Sequence, residues 1–270
     1  MVIGNKAIEP TFFFQSKEAE QINAGKGLWV FAPEFVQLSI FEVDSNSVAY
    51  SIAFDLGGRK SPQLVLNCVE WAFNNAPSIG ALSSFHCISF FEAPSVFPLA
   101  LFDQSEQEQL FRFENTQFED CQLLFSVHSI FSIDCVERVP DWLIHGLPQF
   151  SSSHFNWSGG MASFLQSSTL ESKSYLKAFI QPHCFDVFIL IEGKLELCNR
   201  FHFKTVSDCI YFLMLCIQQT PLNLAIDSFE LIGFHPKANE ISGSLSQYIK
   251  QLHVRNFNSH FPNTLNRLIK

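Results

Sequence analysis

Short runs of this sequence bring together residue types that can hold anions or metals. Asp55-Leu56-Gly57-Gly58-Arg59-Lys60 imitates a phosphate-binding turn by its letters: glycines let backbone amides close on a phosphate, and a carboxylate steadies a metal and its waters. It follows a strand-like run and precedes a Pro-led helical one, which assigns its glycines to a strand-to-helix turn. Ser158-Gly159-Gly160-Met161 stands before a helical segment, Met161 to Gln166, whose amino end would favour an anion, although a plain junction accounts for the same residues. His183, Cys184 and Asp186 are the richest knot of metal-ligand types. Their i, i+1, i+3 spacing matches no standard zinc pattern and reads as a turn. There is no Walker P-loop and no G-x-S-x-G elbow, and spacing alone joins none of the eight cysteines to any of the nine histidines as nucleophile and base.

Composition narrows the partners. The 270 residues are 47% hydrophobic and 16% charged, which predicts a globular chain long enough for one large domain or two ordinary ones. With 31 Phe against four Tyr and four Trp, many strands must be buried on at least one face. A net charge of -9 argues against nucleic acid and anionic membrane surfaces. After Glu240 no acidic residue remains, while Lys250, Arg255, Arg267 and Lys270 follow, so the C-terminal stretch is mildly basic and reads as a solvated tail or surface helix. The cysteines form no C-x-x-C pair and sit in apolar runs, as buried free thiols of a reducing compartment do. Met1 to Phe14 lacks the pattern of a signal peptide, and the longest apolar run, Cys209 to Ile217, is about half of the roughly 20 residues that cross a bilayer. A cytoplasmic protein with no membrane segment is the expectation.

The elements that must position these residues follow from hydrophobic period. Residues 1–33 read as an N-terminal arm: Lys17 to Gln21 can open a short helix, and Gly25, Gly27 and Pro33 then break the chain. Val36 to Val43 and Val48 to Leu56 read as a hairpin joined by Asp44-Ser45-Asn46-Ser47. Leu64, Val65, Cys68, Val69 and Ala72 recur at helical spacing behind Pro62. A strand from Ser84, a short strand after Pro94, a helix from Glu106 to Phe113 capped by Asp103 or Ser105, two strands around His128 and a helical turn from Asp141 follow. The polar cluster Ser151 to His154 marks a boundary, which places a first lobe at 34–150 and a second at 151–270. The second lobe opens with Phe155 and Trp157 as a crossover strand. It continues as strands Tyr175 to Ile180, Asp186 to Glu192 and Lys194 to Lys204, a helix from Val206 to Gln219, and a strand from Leu224 to Gly233. Thr205 and Asp208 approximate a capping box for that helix. Apolar on most of its circumference, the helix is expected to be buried on both sides. A last helix is expected around Leu245 to Leu252.

Three strands, a helix and a strand form the first half of a ribonuclease-H-like unit. The runs Tyr175-Leu-Lys-Ala-Phe-Ile, Phe185-Asp-Val-Phe-Ile-Leu-Ile-Glu-Gly-Lys-Leu-Glu-Leu and Phe201-His-Phe-Lys-Thr, with Ser84 to Leu110, resemble a bacterial family of unknown function that adopts the actin-like ATPase fold. The likeness covers roughly residues 30 to 255 and extends, more remotely, to pilus- and secretion-assembly scaffolds. It implies an α/β protein of two ribonuclease-H-like lobes, with mixed sheets flanked by helices.

The same resemblance implies where nucleotide would sit. Actin-like ATPases present phosphates with two hairpin turns, typically Asp-x-Gly followed by small or hydroxyl residues. Asp44-Ser45-Asn46-Ser47 is taken as the first turn and Gln181-Pro182-His183-Cys184 as the second; neither has a glycine, and Pro182 removes an amide donor. Gly233 stands where the superfamily places an adenosine-contacting glycine. The expectation is therefore a non-catalytic interaction or assembly module with an unidentified protein partner, no cofactor and no metal. The alternative is a divergent ATPase that binds Mg-ATP in the inter-lobe cleft through Asp44, Ser45, Ser47 and Gly233. A nuclease would need several converging carboxylates; Asp44 and Asp186 alone do not supply them.

Overall fold

The computed structural model describes residues 9–16, 25–42, 48–57, 61–76, 79, 82, 84–91, 93–99, 101–114, 120–147, 154–160, 163 and 174–258. They divide into two compact units, one of Met1–Phe91, Glu119–Gln122 and Val139–Ser158, the other of Glu92–Phe118, Leu123–Arg138 and Gly159–Lys270.

The first unit is built on strands β1 (Phe12–Gln15), β2 (Gly25–Phe31), β3 (Phe35–Glu42), β4 (Val48–Asp55) and β5 (Ser84–Ser89), with helix α1 (Pro62–Asn75) between the last two. Ser61 caps α1, its hydroxyl accepting from the Leu64 amide, and Val65, Cys68, Val69 and Ala72 are its buried stripe, as their spacing predicts. The hairpin β3–β4 is antiparallel as expected. Residues 25–31 are not part of an arm. They form an internal strand, antiparallel to β3 and parallel to β5, and Leu28, Trp29, Val30 and Phe31 are fully buried. The glycine that looked like a chain breaker has a packing reason: the Phe85 ring of β5 lies across Gly27, where a Cβ would collide with it. Lys17 to Gln21 fall outside the described residues.

The second unit repeats the theme with β10 (Tyr175–Ile180), β11 (Cys184–Ile191), β12 (Lys194–His202), then a helix at Val206–Gln218 and β13 (Ser228–Phe234). Between the two themes the chain forms β6 (Ser95–Pro98), helix α2 (Gln104–Glu114), β7 (Cys121–His128), β8 (Ile133–Pro140), helix α3 (Asp141–Gly146) and β9 (His154–Gly159). Asp103 is the cap of α2: its carboxylate accepts from the Glu106 amide at 2.9 Å, while Glu106 accepts from the Asp103 amide at 2.9 Å. Helices α4 (Val206–Gln218) and α5 (Ala238–Leu245) and strand β14 (Leu252–Asn258) complete the chain order.

Sheet order exposes the repeat. The first sheet runs β1-β4-β3-β2-β5-β9 and the second β12-β11-β10-β13-β14, while β6-β8-β7 form a third. Setting aside β1, the two large sheets share one arrangement: an antiparallel three-strand meander whose first strand pairs in parallel with the strand after the helix.

Two expectations change in the second unit. Helix α4 buries Val206, Cys209, Leu213, Cys216 and Ile217 on its sheet, but Ser207, Tyr211 and Gln218 are exposed, so it is covered on one face and flanked by half-buried residues such as Phe212, which stacks on Phe201. The last helix ends, rather than begins, at Leu245: Ala238, Ile241 and Leu245 face the core, and Leu252 onward is drawn into β14 by parallel pairing with β13. The capping box at α4 is present, with Thr205 Oγ1 accepting from the Asp208 amide at 3.1 Å and Asp208 Oδ2 accepting from the Thr205 amide at 2.9 Å. These bonds hold the Asp208 carboxyl below its usual range.

Candidate functional site

Topology decides which turns correspond. In the second unit the strand paired in parallel with the post-helix strand is β10, and it leads into Gln181-Pro182-His183-Cys184. In the first unit that strand is β2, and it leads into Ala32-Pro33-Glu34-Phe35. The counterpart of the second turn is therefore Ala32–Phe35, not the β3–β4 connection. Asp44, Ser45 and Ser47 belong to that connection and lie outside the described residues.

The two corresponding turns are built alike. The Ala32 amide donates to the Phe35 carbonyl at 2.9 Å, and the Gln181 amide to the Cys184 carbonyl at 2.8 Å. Each has proline in its second position, fixing φ and removing an amide. Each third residue is tied to the residue just past the meander: the Leu56 amide donates to the Glu34 carbonyl at 2.7 Å and the Phe203 amide to the His183 carbonyl at 2.9 Å. At each turn the first amide is spent on closing the hairpin and the second position has none. Glu34 adds a buried carboxyl group to the first turn, an acceptor where a phosphate cradle needs donors.

The second turn is further braced from beneath. Gln181 is fully buried, and its Nε2 donates to Asp186 Oδ2 at 3.4 Å. Asp186 in turn accepts from Arg200 Nε at 2.6 Å and Nη2 at 2.9 Å, a bidentate pair across β11 and β12. Burial opposes the charge on Arg200, but the Asp186 charge and hydrogen bond outweigh it, raising the guanidinium above its usual value. Both Asp186 oxygens are thus engaged within the sheet, and His183 is exposed while Cys184 is buried. Among the described residues no group of three His, Cys, Asp or Glu is placed to hold a metal.

His235, just past β13, stands beside the same turn. Its Nδ1 accepts from the Lys237 amide at 3.0 Å, which assigns the proton of the neutral ring to Nε2. Burial lowers its pKa, and neighbouring His183 and Lys237 lower it further, against the Pro182 backbone and Glu240.

The other sequence candidates resolve as local structure. Asp55 Oδ1 accepts from the Gly57 amide at 2.7 Å, and Gly57 has φ +58°, so this run is a strand-to-helix turn whose carboxylate serves its own backbone; Gly58 to Lys60 lie outside the described residues. Gly159 ends β9, where a Cβ would collide with the Glu137 side chain, which gives this glycine a steric reason. Met161 lies outside the described residues. Gly233 has φ +110° at a bulge between β13 and β14 and presses on the Ile180 backbone, which gives the glycine a steric reason. The missed features are the Ala32–Phe35 turn, the Arg200 partner of Asp186 and the placement of His235 beside the second turn. The signal for the first was present in the sequence: a proline two residues after an apolar strand, at Pro33 and again at Pro182.

Residues 36–252 match the profile of DUF3822, described as a protein of unknown function. The chain belongs to the DUF3822 family. No curated protein sequence matches it. Among solved structures it is similar to a Bacteroides thetaiotaomicron VPI-5482 protein with actin-like ATPase fold and unknown function, at 15% identity over 89% of this chain and 94% of that one, TM-score 0.72. It is also similar to a chain of the PilM-PilN type IV pilus biogenesis complex, at 9% identity over 84% and 87%, TM-score 0.58. This DUF3822 protein therefore has the actin-like ATPase fold, an α/β architecture of mixed sheets flanked by helices, as its residues led us to expect. Among the described residues no helix is long and apolar enough to cross a membrane.

Proposed function

We propose that this DUF3822 protein is a non-catalytic interaction module of the cytoplasm, in which the actin-like fold serves as a scaffold for a protein partner and works without nucleotide. The observation that carries this reading is the matched pair of proline turns, Ala32–Phe35 and Gln181–Cys184, each closed by its own first amide. A phosphate cradle needs free, convergent amides and glycines that let them approach; these turns offer neither glycine nor the first two amides. The similar PilM chain was solved with PilN, an example of this fold in a complex with a protein. Six of the eight cysteines are buried and all are free, which suits a reducing compartment.

Calorimetric titration and thermal shift with Mg-ATP and Mg-ADP test the reading. The expected outcome is no saturable heat and no shift in Tm. Saturable binding that weakens in Asp44→Ala or in Ser45→Ala/Ser47→Ala would overturn it in favour of a divergent nucleotide-binding protein.

A further inference from the structure

The acidic residues of this chain end at Glu240. Beyond it the side chains that carry full charge are Lys250, Arg255, Arg267 and Lys270, in a protein of net charge -9. This acid-free stretch carries most of α5 and all of β14, and an open groove of about 470 Å³ is lined by these two elements and the residues joining them. One wall is the small polar side of α5. Asn239, Ser242, Gly243 and Ser246 recur at three- and four-residue spacing, and a Cβ on Gly243 would meet nothing within 4 Å. The opposite wall includes Lys250 and the alternate residues Leu252 and Val254 of β14, with Val254 46% exposed. Among the described residues β14 is the edge of its sheet, bonded to β13 alone.

We propose that this groove docks an extended, acidic segment of a protein partner, which pairs with the open edge of β14 as a sixth strand of the second sheet. The proposal rests on the interaction-module reading and names its site and its ligand chemistry. A free edge presents alternating amide and carbonyl groups that an extended chain satisfies without any special side chain. In an added strand every second residue faces the Leu252 and Val254 side, so small apolar residues there lie against the open wall at Gly243. Charge selects the partner's sign. All 26 acidic residues lie at or before Glu240, and Glu240 itself, at the start of α5, is paired with Lys237 at 3.5 Å, so Lys250 is the charged residue that an acidic segment meets along the groove.

Fluorescence anisotropy with a labelled peptide of alternating valine and glutamate, about ten residues long, tests the site against the same peptide with lysine for glutamate. The expected result is saturable binding of the glutamate peptide, about tenfold or more tighter than the lysine peptide and weakened by added salt. Gly243→Leu fills the groove at an exposed helix position that tolerates leucine, and Lys250→Glu reverses its charge; each should weaken binding by about fivefold or more with an unchanged circular dichroism spectrum and Tm. Equal affinity for both peptides, no binding of either, or full binding by Gly243→Leu overturns the proposal. So does a dimer in light scattering that Gly243→Leu dissociates, which assigns the groove to a second copy. Mg-ATP binding measured in parallel would sink the nucleotide-free reading without altering the peptide result, and loss of peptide binding would leave that reading standing.

Discussion

Gly233 on β13 is the register partner of Ile180 on β10, and the two backbones approach so closely that a Cβ on Gly233 would collide with the Ile180 carbonyl oxygen. Ser89 of β5 holds the corresponding place in the first unit, opposite Phe31 of β2, so the close approach belongs to the bulged second sheet and not to the repeat as such. Gly233→Ala combines a backbone clash with a disfavoured φ, and should cost about 2–4 kcal/mol in urea denaturation. A ligand-binding role alone would leave the unliganded stability near that of the parent, so the same measurement separates the two uses of the glycine.

The Asp186–Arg200 pair is buried on both sides, with side chains 2% and 5% exposed. Arg200→Met strands a carboxylate beneath the second turn and should cost about 3–5 kcal/mol. Asp186→Leu/Arg200→Met together remove both charges and should recover most of that loss, because desolvation offsets much of what the pair gains by attraction. Urea titrations of the single and double variants give the coupling directly. Additive losses would show that the two residues act independently.

Much of this architecture was legible in periodicity, because α1, α4 and the strands β10 and β11 bury continuous apolar stripes whose spacing declares them. The features that were not legible depend on partners distant in sequence. Gly27 looks like a breaker until the Phe85 ring is placed across it. The stretch after Leu245 carries enough apolar residues for a helix, and only its parallel pairing with β13 makes it a strand. The first turn is hidden in the sequence for a related reason: while residues 25–31 read as an arm, the β3–β4 connection is the first hairpin in view. Identifying the strand that pairs in parallel with β5 moves the correspondence to Ala32–Phe35 and replaces a turn of Asp and hydroxyls with one of proline and a buried glutamate.

Acid should loosen the second turn through His235. Its pKa is lowered from the ordinary 6.5 by burial first, then by His183 and Lys237, with the Pro182 backbone and Glu240 opposing. The unfolded chain therefore binds the proton more readily than the folded one, and stability falls as pH drops below the ordinary histidine value, levelling once the folded group is itself protonated. Protonation at Nδ1 also breaks the bond from the Lys237 amide. His235→Gln should flatten the dependence of Tm on pH between about 7 and 5 without abolishing it, since burial lowers His86 and His128 as well. An unchanged slope would remove His235 from the account.

The fit between Gly27 and Phe85 can be tested as a coupled pair. Phe85 is 1% exposed, stacks on Phe155 with ring centres 5.5 Å apart, and lies 5.7 Å from the Phe73 ring. Phe85→Ala empties this site and should cost about 3–5 kcal/mol. Gly27→Ala drives a methyl into the ring and forces overpacking, for a loss of about 1–3 kcal/mol. Once the ring is gone the added methyl enters vacated space, so the double variant should be no less stable than Phe85→Ala alone, a coupling of about 1 kcal/mol or more. Simple additivity in denaturant titrations would mean that the glycine answers to backbone demands alone, and that the ring crossing β2 is incidental to the placement of the first turn.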